Sequence, residues 1–511
     1  MWCRSFKKSV QFILFCFSLC LFVSRTDAVE VEVKFSPRGG AGEAIINAIS
    51  NAHSTLDIAM YSFSSGPILE ALKRAHDRGV QIRLIFDDAA NSQPENEGDT
   101  TKFEWSGRYE AAGIAVRYVD VRRGNVKGNM HHKFMIVDGC PKGLDADCDL
   151  SKAVLTNGSG NFSSGADKRY DENLLVIKNE SWLMTEFQKE FHELWRRSRY
   201  FRDQSYVGDM GPYKVEVDLE SSPNFKPVFT SQNFAGTKNF NYVYGRHAVA
   251  DALIRAIRQA KESVFVATGH FRLMALANAL RDAKRANPDL DIRVISDSQE
   301  YVFKSRQQYA FPQSGPYAFH TSTTRAYDAC RKRYPAPQER CEYEGGYHLS
   351  RYLFEAGIPI RLKYYAYIWH YPYEPQLHHK YVIVDGREIW TGSYNWSVAA
   401  ETHTLENVIG FTGEAVRSVV NAYTENFKTL WRLNHEGLKA HQDQLETLDS
   451  FPIHFGGQYG LAAGQGAMAL TLKEIDNLLD RVTKDSPGFF KEARPEHTHW
   501  NVRTQRGEIR E

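Results

Sequence analysis

The sequence predicts a duplicated α/β protein: two domains on one plan, each a mostly parallel sheet with helices on both faces. Three observations predict it. Helix-like and strand-like hydrophobic patterns alternate along the chain. The alternation runs twice, in the same order, through a chain of 511 residues, long enough for two domains. Each half carries a His, a Lys and an Asp at spacing H-x-K-x-x-x-x-D, followed by a Gly, a Ser and an Asn. Alternating strands and helices favour parallel pairing, because a crossover helix returns the chain to the same end of the sheet and shields its face.

In chain order, residues 1 to 28 read as an export signal. Arg4, Lys7 and Lys8 form a basic start, Phe12 to Val23 an apolar core too short to span a bilayer, and Thr26-Asp27-Ala28 a small-residue cleavage site. The expected location is secreted or periplasmic. Removing this segment leaves Cys140, Cys148, Cys330 and Cys341. Three connectivities are open, and the local pairs Cys140 with Cys148 and Cys330 with Cys341 are expected because they close the loops in which they sit. Neither pair has C-x-x-C spacing, and no carboxylate cluster suits a metal. Without Arg4, Lys7, Lys8, Arg25 and Asp27 the formal charge moves from +1 to about −2. Such a chain has no global field to gather nucleic acid, which leaves a local basic cleft open.

The first repeat is expected over residues 29–210. Ala44, Ile45, Ala48, Ile49 and Ala52 recur at helical spacing, and Leu56 to Phe63 switches to a strand pattern. Asp251 to Phe271 repeats that helix and strand in the second half. A second helix and strand follow from Ala71 and again from Ala279, and EAAGIAVRY from Glu110 matches FEAGIPIRL from Phe354. Each repeat closes on an amphipathic helix, from Thr185 and from Asn421. Gly and Pro punctuation marks a linker over 211–228. The second repeat runs over 229–434 and carries an insertion after Asp297 and an aromatic stretch, Lys363 to Gln376, immediately before its motif. Those rings suit either core packing or a cleft that holds an acyl chain or stacks a base. Residues 435–511 read as a partly disordered extension.

The motifs carry the chemistry. In HHKYVIVDGREIWTGSYN, His378 and Lys380 precede an apolar β-branched run that ends at Asp385, and Gly392, Ser393 and Asn395 follow a second strand. Gly392 is expected to allow a tight turn. His131, Lys133 and Asp138 repeat the first part, and Gly158, Ser159 and Asn161 the second, with thirteen extra residues between. Lys133 and Lys380, with Ser159, Asn161, Ser393 and Asn395, are cations and neutral donors suited to a phosphate. Glu172 and Glu406 each lie eleven residues after the Asn of their own repeat. Each is expected to orient the His of that same repeat, completing two separate half-sites. Asp138 and Asp385, separated from the His by a strand, are expected to be structural.

Paired H-x-K-x-x-x-x-D and G-S-x-N elements resemble the phospholipase D superfamily, whose members hydrolyse phosphodiesters through a covalent phosphohistidine. The second copy matches without a gap, and the first departs through the insertion after Asp138. The resemblance implies halves packed about a pseudo-twofold axis, both His in one cleft, one chain sufficing as a monomer, and no metal or cofactor. It also implies His131 as nucleophile and His378 as general acid. The opening FSPRGG looks like the small secreted nucleases of the superfamily, whereas the near-neutral charge and aromatic stretch suit phospholipid and peripheral membrane contact. Phospholipase D-type hydrolysis of phospholipids is therefore the expected function, and a metal-independent endonuclease the alternative. An inactive binding protein and a phospholipid transferase fit less well.

Overall fold

The computed structural model describes residues 28–87, 104–144, 148–202, 205–206, 219, 221–236, 238–297, 300, 327–335, 338–344, 349–364, 376–432, 468–471, 498–501 and 506–509. The segment expected to be an export signal, most of the expected linker, most of the insertion after Asp297 and the aromatic residues 365–375 lie outside them.

The first repeat contributes strands β1 (Glu30–Phe35), β2 (Thr55–Met60), β3 (Gln81–Phe86), β4 (Ala115–Val119), β5 (Lys133–Val137), β6 (Val154–Gly158), β7 (Asn173–Lys178) and β8 (Ser198–Tyr200). The second contributes β9 (Phe225–Phe229), β10 (Ser263–Thr268), β11 (Asp291–Asp297), β12 (Ile360–Tyr364), β13 (Lys380–Val384), β14 (Glu388–Gly392), β15 (Asn407–Phe411) and β16 (Met468–Thr471). The sheets run β1-β7-β6-β5-β2-β3-β4-β8 and β9-β15-β14-β13-β10-β11-β12-β16, the same order in the same sequence of elements. The duplication read from the sequence is thus a duplication of topology.

The α/β class holds, and the mostly parallel sheet does not. Within these two sheets only β2-β3-β4 and β10-β11-β12 pair in parallel, where helices α1 (Ala41–Ser50), α2 (Gly66–Asp77), α3 (Glu104–Ala111), α4 (Ser181–Arg196), α5 (Ala248–Gln259) and α6 (Met274–Ala286) include the crossovers. Strands β5, β6 and β7, and likewise β13, β14 and β15, run antiparallel. Short connections such as Asp385 to Arg387 contain no crossover helix, and a chain that turns back directly must pair antiparallel.

Two boundaries also change. Phe225–Phe229, of which all but Phe229 was assigned to the end of the linker, is an edge strand whose Pro227 lies opposite Ile409. Proline is tolerated there because an edge residue need not donate to a second neighbour. Met468–Thr471, from the expected extension, pairs antiparallel with β12 and closes the opposite edge.

Three apolar cores result. One lies between the first sheet and α1, α2 and α3, and one between the second sheet and α5 and α6. The third is shared: Phe134 and Ile136 of β5 and Tyr381 and Ile383 of β13 face it, together with α4 and the closing helix α7 (Arg417–Arg432). Helices thus cover both faces, and β5 and β13 are buried on both, which is why their sequences are continuous apolar runs. The shared core locks the repeats together: Phe35 meets Tyr423 edge-on at 5.1 Å, and Phe187 meets Phe229 at 5.0 Å. Disulfides join Cys140 to Cys148 and Cys330 to Cys341. No helix among the described residues is long and apolar enough to cross a membrane.

Candidate active site

Lys133 and Lys380 open β5 and β13, with His131 and His378 two residues earlier, so the buried strands hold both motifs at their N-terminal ends. The chain ahead of each His pairs with the other repeat. Asn129 and Met130 run beside Thr404 and Leu405, and His131 N donates to Leu405 O at 2.9 Å. Leu377 bridges Asp171, and His378 N donates to Asp171 O at 3.0 Å. The next residues in those partner segments are Glu406 and Glu172.

The carboxylates therefore cross over. His131 Nδ1 lies 2.8 Å from Glu406 Oε1, and His378 Nδ1 lies 2.6 Å from Glu172 Oε1. The expectation that each half-site uses its own Glu is corrected: each repeat supplies the other's. Backbone pairing across the interface outweighs proximity along the chain. With Nδ1 bound to a carboxylate, each ring keeps Nε2 for chemistry.

The second His of each HHK triplet, whose doubling was the available signal, belongs to the interface. His132 Nδ1 lies 3.0 Å from Asn407 Nδ2, and His132 Nε2 lies 3.1 Å from Glu190 Oε1. His379 Nδ1 lies 3.2 Å from Asn173 Nδ2. Asn173 and Asn407 directly follow the crossing glutamates, so the same turns orient the reactive rings and fasten the repeats.

The phosphate-binding residues divide in two. Lys133 Nζ lies 3.1 Å from His131 Nε2, and Lys380 Nζ donates to His378 O at 2.7 Å. Asn161 and Asn395 each bury an Oδ1 without a hydrogen-bond partner, and it is their Nδ2 groups that could donate to a phosphate oxygen. Ser159 and Ser393 do not face a ligand. Both are fully buried, their Oγ atoms accept from Asn173 N and Asn407 N at 2.9 and 3.0 Å, and they hydrogen-bond Glu172 and Glu406. Their expected phosphate contact is replaced by support of the glutamates. Gly392 makes no left-handed turn. A Cβ there would stand 2.2 Å from Asn407 O, and one at Gly158 2.1 Å from Asn173 O, so glycine permits this close approach. Asp138 and Asp385 end β5 and β13 with left-handed φ of 54° and 52°. Asp138 accepts from His53 N and Ser54 N, and Asp385 from Lys261 N, Glu262 N and Ser263 N, tying each strand to the turn after α1 or α5.

Burial dominates the electrostatics. It pushes Glu172 and Glu406 up to about 8 against the pull of nearby lysines, and Lys133 down to about 7 and Lys380 to about 8 despite both carboxylates. His131 and His378 fall well below the usual imidazole value through burial first and then the lysine charges. Lys380 and His378 act on His131, and Lys133 on His378, which makes the two half-sites one electrostatic unit. An incoming phosphodiester monoanion would compensate the clustered cations.

The half-sites are not identical. The Tyr61 ring packs 4.5 Å from that of His131, whereas the aligned Gly269 offers His378 no ring. The insertion after Asp138 is partly the loop closed by the Cys140–Cys148 disulfide, away from the site end of β5.

Comparison with known proteins adds a family. The chain is 31% identical over 151 residues to a mitochondrial cardiolipin hydrolase of Chlamydomonas reinhardtii, covering 29% of this chain and 55% of that protein. It is 30% identical over 158 residues to a phospholipase D of Rickettsia conorii, covering 31% of this chain and 66% of that one. The chain thus spans about half to two-thirds of the length of these relatives. A solved phosphatidylserine synthase of Haemophilus influenzae shares the fold at a TM-score of 0.52 and 11% identity, over 83% of this chain and 93% of its own. The family described as "Cardiolipin synthase, PLD-like domain" matches residues 45–195 and 253–431, more than half of the sequence and one match per repeat. With each match containing one reactive His and one of the crossing glutamates, the chain belongs to that family and hence to the phospholipase D superfamily.

Proposed function

We propose that this chain is an exported phosphodiesterase that hydrolyses phospholipids in the manner of phospholipase D, through a phosphohistidine on His131. The observation that carries the reading is the pair of crossed His–Glu contacts, which leaves two imidazole Nε2 atoms and two lysines in one unit. The lipid substrate is supported by relatives named for cardiolipin hydrolysis and phospholipase D.

In the first step His131 Nε2 attacks phosphorus, the bond from phosphorus to the leaving oxygen breaks, and His378 gives its Nε2 proton to that oxygen. Lys133, Lys380 and the Asn161 and Asn395 amides hold the two non-bridging oxygens as their charge grows. In the second step His378 takes a proton from water, the water oxygen attacks phosphorus, and the bond to His131 breaks. Lys133 Nζ lies 3.1 Å from His131 Nε2, Lys380 Nζ donates to the carbonyl of His378, and each lysine opposes protonation of the His in its own repeat. The role of His131 as the nucleophile is carried by the superfamily resemblance. One chain supplies both half-sites, so a monomer suffices.

The test compares phosphatidylcholine vesicles with plasmid DNA in chelator across about 50 to 500 mM salt, with His131→Asn as blank. A nuclease neutralising several phosphates loses affinity steeply over that range through counterion release, and a lipase on a zwitterionic surface does not. Headgroup release with weak salt dependence is expected. Salt-sensitive DNA cleavage without headgroup release would refute the lipid substrate.

A further inference from the structure

The walls of the two half-sites differ in charge at matching backbone positions. Met60 pairs with Lys133 and Thr268 with Lys380, and the pairing continues with Tyr61 N on His132 O at 3.0 Å and Gly269 N on His379 O at 2.9 Å. The next residue along each chain is Ser62 in one half and His270 in the other. Phe63 then bridges Phe162, with Ser64 N donating to Phe162 O, while Phe271 and Arg272 pair with Trp396 and Ser397, directly after Asn395. Ser-Phe-Ser in one half is thus His-Phe-Arg in the other.

A buried carboxylate holds the basic pair. Glu300, 1% exposed, lies 3.1 Å from His270 Nδ1 and receives Arg272 through Nε at 2.9 Å and Nη2 at 2.8 Å. Ser350 Oγ anchors its backbone carbonyl at 3.0 Å. The side chains it holds are 26% and 32% exposed, so their outer edges reach solvent beside the Ser393–Asn395 turn. Charge at His270 is also felt by both reactive imidazoles. A structural ion pair needs neither exposure nor a place beside the Asn395 turn.

We propose that His270 and Arg272 form a second anion subsite on the His378 wall, which selects phospholipids whose headgroup carries a phosphate in addition to the scissile phosphodiester. Arg272 supplies the permanent charge, and its guanidinium fork can accept Glu300 on one edge and a phosphate on another. His270 adds an Nε2 edge. The matching positions of the other repeat, Ser62 and Ser64, carry no charge, which places the second phosphate on the side of the proposed general acid and therefore of the leaving headgroup.

This inference rests on the phospholipid reading. Its test measures kcat/KM for phosphatidylglycerol phosphate and phosphatidylglycerol, which differ by that one phosphate, in mixed detergent micelles. The wild type is expected to prefer the former. Arg272→Gln should cut the preference by about tenfold to a hundredfold, the range for a charge-assisted hydrogen bond, mainly through KM. Arg272→Lys should restore part of it. Because Arg272→Gln deprives buried Glu300 of a partner, Arg272→Gln/Glu300→Gln is assayed beside it and should lose the preference equally. No preference in the wild type, or an unchanged preference in Arg272→Gln, would overturn the subsite while leaving lipid hydrolysis in place. Cleavage of plasmid DNA with neither lipid turned over would instead overturn the lipid reading, and the subsite with it.

Discussion

Replacing Glu172 by Gln tests the crossed site at its least expected point. Glu172 belongs to the first repeat, yet its Oε1 lies 2.6 Å from Nδ1 of His378 in the second, and the residue is 2% exposed. Glutamine keeps the shape and an acceptor oxygen but removes the carboxylate charge that stabilises the imidazolium, and since burial pushes Glu172 up to about 8 the comparison is made above that pH, where the carboxylate is ionised. A hydrogen bond to a charged group is worth about 1.5–3 kcal/mol. At about 1.4 kcal/mol per factor of ten, the loss is about tenfold to a hundredfold in the steps where His378 carries a proton. With a lipid substrate, kcat should fall by that factor. With a nitrophenyl phosphodiester, whose leaving group departs without a proton, the first-turnover burst in stopped flow should keep near its wild-type rate and only the later steady state should slow. Glu406→Gln, acting on His131, should slow the burst itself. A slow burst in Glu172→Gln beside a normal one in Glu406→Gln would refute the crossed pairing with His131 as nucleophile, and equal losses in both would show that the glutamates do not act through separate rings.

Three further outcomes follow from the same geometry. His131→Asn should abolish turnover and leave no acid-labile phosphoryl adduct, whereas His378→Asn with the nitrophenyl substrate should accumulate one on His131, as read by mass spectrometry. Gly392→Ala places a Cβ 2.2 Å from Asn407 O and should destabilise the fold by on the order of 3 kcal/mol, measured by denaturant unfolding. Glu172 titrates near 8 in the folded protein against 4.5 as its ordinary value, so between those pH values the folded state holds a proton that the unfolded state has lost. Its contribution to stability therefore falls as pH rises through that window, and the Tm of Glu172→Gln relative to wild type should climb from about pH 4.5 to about pH 8.

The repeated order of helices and strands, the H-x-K-x-x-x-x-D strands and the local cysteine pairs were legible in the sequence because each is written in local terms. Hydrophobic period, residue spacing and loop length need no knowledge of the other half. Strand direction was less legible: the β2-β3-β4 crossovers announce themselves, but the direct connections after Asp138 and Asp385 resemble strand–loop–strand segments of either sense. Pro227 misled for a related reason, since a proline on an edge strand and one in a linker look alike until the sheet is built.

The sequence by itself determined the inventory of the site: two His, two Lys, two Asn and two Glu at matching offsets. The tertiary structure alone decided the partnerships. Glu172 lies 41 positions from His131 and 206 from His378, and it bonds the distant one. The reason is that the segments ending at Asp171 and Leu405 complete their backbone hydrogen bonds only on the other repeat. Ser159 and Ser393 were assigned to phosphate by type and spent on the glutamates by burial. The contrast between Ser62 and Ser64 on one wall and His270 and Arg272 on the other was present in the letters throughout, and it acquired meaning only when the register brought those segments beside the Phe162 and Trp396 turns that follow Asn161 and Asn395.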